Sequence, residues 1–300
     1  NNFYGGTFAG TTWVGPHSQT IPGGLYNNFM GGTFESTFVA GGIGIVASEV
    51  HNVFKNGPDG TYATLKGTTA LGSRGKTSDG SPTIQKIDRL YNVFEGDVQI
   101  NGALYCAGGS QGGGKKISEL VQNDFKGGTF TKAVYCGTRY AKDDLSTAEV
   151  VNNFYDGATF TNLVYGGGPA DCSAPASITN NIYGGLFEGR FIGGNHNIQR
   201  CNVTNNVYGG HFAASNSSAI DGARGYLSFV GGSMQRDAGS TKPLIANNIY
   251  GGTFDQRIHF GGTYGTISAV NTMIAGGIFN GDRLAGGMYD VNTDTAKTQI

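Results

Sequence analysis

Apolar and polar positions in this chain alternate in short bursts, and one burst recurs from end to end. Its clearest copy is NNIYGGTF at 247–254. Others stand at 1–8 (NNFYGGTF), 27–34 (NNFMGGTF), 51–54 (HNVF), 91–98 (YNVFEGDV), 123–130 (NDFKGGTF), 152–160 (NNFYDGATF), 180–187 (NNIYGGLF), 205–212 (NNVYGGHF) and, degraded, 272–279 (TMIAGGIF). Several successive copies start about 25 to 30 residues apart, the period of a repeat array.

A glycine pair inside each motif would cost a helix roughly 1 kcal/mol per glycine, so the repeat reads as strands. The third position (Phe3, Phe29, Val53, Val93, Phe125, Phe154, Ile182, Val207, Ile249) is always apolar, with the β-branched and aromatic types that suit a pleated sheet. The closing position (Phe8, Phe34, Val98, Phe130, Phe160, Phe187, Phe212, Phe254, Phe279) is nearly always Phe. Two apolar points around a glycine pair describe two short strands meeting at a corner. A second apolar run ending in glycine follows in most copies, as in ALYCAGG, LVYGGG and LSFVGG. The predicted fold is all-β: a right-handed parallel β-helix of about ten coils with lateral loop insertions, in a single domain over 1–300.

Parallel stacking at ~4.8 Å per coil would make a rod on the order of 50 Å long and place like residues over like. The second Asn of each copy (Asn2, Asn28, Asn52, Asn92, Asn153, Asn181, Asn206, Asn248, with Asp124 as the one acid) is then expected to form an amide ladder. The closing residues Phe8, Phe34, Phe130, Phe160, Phe187, Phe212, Phe254 and Phe279 are expected to stack as an aromatic core column. Tyr4, Tyr155, Tyr183, Tyr208 and Tyr250 share a position that also accepts Met30 and Lys126. That tolerance predicts an outward column able to stack on sugars or pack against another filament.

Composition narrows the function. The chain has 53 Gly and only 7 Pro in 300 residues, with 14% charged residues and a formal net charge of -1. Such balance offers no attraction for nucleic acid or an anionic membrane, and no apolar run of ~20 residues suggests membrane insertion. No cofactor or metal motif is present: His196, His211 and His259 fall at different repeat positions, and Gly112 to Lys116 lacks the order of a phosphate loop. A sparse column of Thr7, Thr33, Thr129 and Thr253 has no regular TxT face, which speaks against ice binding.

Four cysteines fall in phase. Cys106 and Cys136 occupy the same point of neighbouring coils, and Cys172 and Cys201 form a second stacked pair. Each pair is a candidate disulfide, with buried thiols as the alternative; bridged pairs would imply an oxidising compartment. The chain starts directly on a repeat without a signal peptide, which is expected of a processed form or a piece of something longer. Placing its end before another copy's start restores the repeat phase. Asn1, Phe3 and Ile300 are therefore the candidate end-to-end interface for head-to-tail self-association.

The NxΦYGGTF and VYGGG elements resemble the glycine-rich repeats of large bacterial cell-surface or secreted parallel β-helix proteins. The resemblance covers nearly the whole chain and implies an extracellular stalk, fibre or adhesive role, with no catalytic residues to transfer. The expected function is an extracellular structural rod that stacks end to end into a filament. The alternative is an adhesin that meets glycans or a host surface through the Tyr column and the long inserts 55–86 and 213–244. A polysaccharide lyase or hydrolase would need a carboxylate cluster on one face. Glu188 with Arg190, Asp255 with Arg257 and Asp282 with Arg283 come nearest, but they read as charge-paired rungs, so no enzyme is expected.

Overall fold

The protein is described here as a computed structural model covering residues 1–287, except 18, 43, 73–84, 109–114, 139–143, 170–174, 197–200, 218–225, 234–242 and 263–268, together with 298–299. Every regular element among the described residues is a strand. The strands form three parallel sheets of 12, 10 and 10 members, and each turn of chain feeds one strand to each sheet. The second and third sheets each hold ten strands, and the first and last belong to end turns with an open axial face. About eight enclosed turns with an open turn at either end therefore replace ten equivalent coils.

Alternation decides which residues enter the core. Along Asn202–Val207, Val203, Asn205 and Val207 are buried while Thr204 and Asn206 lie on the outer side. In the first sheet Phe3, Phe29, Phe54, Phe94, Phe125 and Phe154 stack face to face at centroid spacings of 4.6 to 5.2 Å. The second sheet stacks Phe8 on Phe34 at 4.7 Å. Leu65 and Ile100 then interrupt its column before Phe130, Phe160, Phe187, Phe212, Phe254 and Phe279 resume it at 4.6 to 5.1 Å. Between columns the rings meet edge to face, the favoured complement to offset stacking.

At two turns the columns trade bulk. Where the first column shrinks to Ile182 and Val207, the third sheet supplies Phe191 and Phe229, stacked at 5.5 Å. A small side chain in one column there is offset by a large one in another, the kind of exchange a close-packed core tolerates best.

Two registers differ from the sequence reading. Phe54 pairs with Phe29 and Phe94 with Phe125, so Val53 and Val93 point outward. Ile100 pairs with Phe130, so Ile100 and not Val98 closes that turn. The short HNVF and YNVF copies align on their Phe because the larger side chain fills the core column.

The two glycines of the corner do different jobs. The second holds a positive φ, 92° at Gly210 and 94° at Gly252, which a side chain would strain. The first lies against the turn before it: a Cβ on Gly209 would run into the Tyr183 carbonyl oxygen, and one on Gly251 into that of Tyr208.

Candidate functional site

Two asparagine ladders run along the first sheet, on opposite faces. The inner ladder contains Asn1, Asn27, Asn52, Asn92, Asn123, Asn152, Asn180, Asn205 and Asn247. From Asn27 onward its members are 0 to 1% exposed. From Asn27 to Asn205 each Nδ2 donates to the next Oδ1 toward the C-terminal end and also to a backbone carbonyl at the corner after the third sheet. Asn180, for example, donates to Asn205 Oδ1 at 2.8 Å and to the Gly193 carbonyl at 2.9 Å. The run ends when Asn247 donates to the Thr272 hydroxyl at 3.2 Å. Both amide protons are thus used, as a buried amide requires.

The outer ladder runs the other way in two stretches separated by Val53 and Val93: the pair Asn2 and Asn28, of which Asn2 is exposed, and a half-buried run from Asp124 to Asn248. Asn28 donates to Asn2, Asn248 to Asn206, Asn206 to Asn181, Asn181 to Asn153, and Asn153 to Asp124 at 2.6 Å. Asp124 Oδ1 accepts from Asn153 and so sets the donor direction of the four amides that follow it. The expected single ladder is therefore corrected. Asn52 and Asn92 register with the first Asn of other copies and belong to the inner column, while Asn2, Asn28, Asn153, Asn181, Asn206 and Asn248 form the outer one.

Tyr155, Tyr183, Tyr208 and Tyr250 stack on the outer edge of the same sheet at 5.1 to 5.2 Å, with interplanar angles of 20° or less. Their faces cover one another, leaving edges and hydroxyls outward. A sugar stacks on a ring face, so the interior of this column offers no platform for one. Tyr4 stands apart, exposed at the first turn beside Met30. Burial pushes the Tyr155 hydroxyl up, and nearby Asp124 adds to it.

At the axial ends the core columns come to the surface. Phe3 and Phe8 are partly buried against the core at one end. At the other, Ile274 and Leu284 are 44% and 50% exposed, although they continue the inward columns of Ile249 and Ile258. Phe279 lies between them on Phe254 at 5.1 Å. The first sheet carries one further strand, Thr298–Gln299, paired with Val270 and Asn271. Of the expected interface, Asn1 and Phe3 lie on the first turn; Ile300 lies outside the described residues.

The cysteine reading is corrected for one pair. Cys106 and Cys136 stack in register but are free, fully buried thiols in hydrogen-bond contact. Burial pushes the Cys106 thiol well up, with Cys136 adding to it, so the thiolate that forms a disulfide is suppressed. They behave as small core residues. Burial likewise pushes Cys201 up to about 12, and its expected partner Cys172 lies outside the described residues.

The charge-paired rungs rearrange. Arg190, just before the third-sheet strand Phe191–Ile192, is only 1% exposed, which removes it from the surface position expected beside Glu188. Arg257 clamps Asp282 of the next turn at 2.8 and 3.0 Å, and Asp255 takes His211 at 2.6 Å. His259 is buried and His196 meets the edge of Tyr165 at 5.1 Å. The described residues contain no group of three or more His, Cys, Asp or Glu able to hold a metal.

Three arrangements escaped the sequence reading. Tyr26, His51 and Tyr91 stack outside the N-terminal turns at 4.6 and 4.5 Å, with Glu49 bound to His51 at 2.8 Å. Tyr105, Tyr135 and Tyr165 stack on the third sheet at 5.0 and 4.9 Å, a column signalled by the Tyr of LYC, VYC and VYG. Thr64 and Thr159 join the outer threonine column, which remains a single rank. Comparison with family models, curated proteins and solved structures finds no match to this chain.

Proposed function

We propose that this chain is a structural rod that lengthens by head-to-tail stacking of a second copy on its axial face, outside the cell. One observation carries the reading: both ends present the same inward columns. An incoming first turn would lay Phe8 over Phe279 and Thr12 over Leu284, continuing the registers already seen within the chain. In the same register its strand Asn2–Phe3 would lie over Met273 and Ile274, beyond Val270 and Asn271, which pair with Thr298–Gln299. Unpaired strand ends and exposed apolar columns favour such addition. The extracellular setting rests on the resemblance of the repeats to bacterial surface proteins.

Negative-stain electron microscopy of the concentrated chain tests the proposal. Filaments with an axial repeat of about 50 Å are expected, from ~4.8 Å per turn. Phe8→Asp should abolish them while leaving individual rods. Separate short rods at every concentration would overturn the reading.

A further inference from the structure

A cavity of about 360 Å³ opens across three turns at the outer corner between the second and third sheets. Its volume lies in the range of small-ligand sites, roughly 300 to 1,000 Å³. Tyr226, Asp255, Arg257, Asn280 and Asp282 line it, and His211 reaches Asp255 from the preceding turn.

Its polar groups are oriented before any ligand arrives. Asp255 receives His211 on Oδ2 at 2.6 Å and Asn280 Nδ2 on Oδ1 at 2.9 Å. Asp282 receives Arg257 Nε at 2.8 Å and Nη2 at 3.0 Å, a bidentate pair. Every carboxylate oxygen keeps a further lone pair, so the cavity presents fixed acceptors to a partner rich in hydroxyl donors. An anionic ligand would meet two carboxylates and a guanidinium already engaged by one of them. Tyr226 is 39% exposed and, unlike Tyr183 or Tyr208, belongs to no aromatic stack among the described residues. It can therefore offer an apolar ring to a sugar.

We propose that this corner is a binding subsite for a neutral glycan, with Asp255 and Asp282 accepting sugar hydroxyls and Tyr226 forming the apolar wall. The inference does not rest on axial stacking. Binding fits better than cleavage: the hydrogen bond from His211 holds the Asp255 carboxyl low, and Arg257 does the same for Asp282. Both carboxyls stay ionised at neutral pH, so neither carries the proton that a departing glycosidic oxygen needs.

Saturation-transfer NMR on the full chain tests this, with cellotriose and mannotriose as neutral probes and trigalacturonate as the anionic one. Transfer to the ring protons of at least one neutral trisaccharide is expected, and none to trigalacturonate. Tyr226→Ala and Asp282→Asn should each weaken binding about tenfold, while Tyr183→Ala should bind as the unaltered chain does. Circular dichroism establishes that each variant is folded, and Asp282→Asn keeps the side-chain shape should Tyr226→Ala fail to fold. Absence of transfer to both neutral probes, transfer to trigalacturonate alone, or full binding by a folded Tyr226→Ala or Asp282→Asn variant would overturn the assignment.

Discussion

Asn180 and Asn181 are neighbours of the same type, yet they belong to ladders with opposite faces, opposite polarity and different surroundings. Asn180 is buried, donates toward the C-terminal end and ties the first sheet to the Gly193 corner. Asn181 is half-buried, donates toward the N-terminal end to Asn153 and accepts from Asn206. Burial separates their worth, because water can replace a lost bond at Asn181 but not at Asn180. The inner ladder is a structural cross-tie, whereas the outer one decorates a wet face.

The sharpest way to break this contrast is to place a carboxylate in each ladder. Asn180→Asp would bury a charge without a counter-ion and should cost about 3 to 5 kcal/mol at neutral pH. Asn181→Asp should cost less than about 1 kcal/mol, measured by urea unfolding. The sign with pH follows from burial: the folded pKa of an Asp at 180 would be raised, so its penalty should shrink as pH falls and the carboxyl protonates.

Gly193→Ala comes next. A Cβ there would collide with the Asn205 amide and the Gly231 carbonyl oxygen, so about 2 to 3 kcal/mol should be lost. Its melting temperature should fall as an inner-ladder variant's does, and an unchanged value would separate the corner from the ladder. The smallest effect concerns native carboxylates. Lys86 and Ser118 hold Asp88 low, and His211 does the same for Asp255. Their folded pKa values lie below the unfolded ones, so their contribution is present above about pH 4 and is lost as pH falls through the folded values. Melting curves from pH 5 to pH 3 should show a shallow decline in the natural chain. A steeper loss than that of Asn181→Asp at neutral pH would contradict the small role given to these surface pairs.

The parallel β-helix was legible because its period, glycine corners and Phe positions are local and repeated. The register of Asn52 and Asn92 was harder: each copy has only one Asn, and matching it to the second Asn of its neighbours placed Val53 and Val93 in the core. The signal was still present, since side chains two apart share a face and Asn52 lies two before Phe54, as Asn27 lies two before Phe29. The free Cys106 and Cys136 could not be read from spacing, which brings thiols together without deciding whether they bond. The corner cavity was invisible for another reason. It joins Tyr226, at the edge of a long insertion, to residues of two later turns.

The most direct test is a paired urea unfolding of Asn180→Ala and Asn181→Ala, each monitored by circular dichroism. Removing the buried amide strands donors and acceptors and should cost about 2 to 3 kcal/mol, whereas removing the outer one should cost about 0.5 kcal/mol or less. Equal losses, or a larger loss at Asn181, would contradict the division of the two ladders.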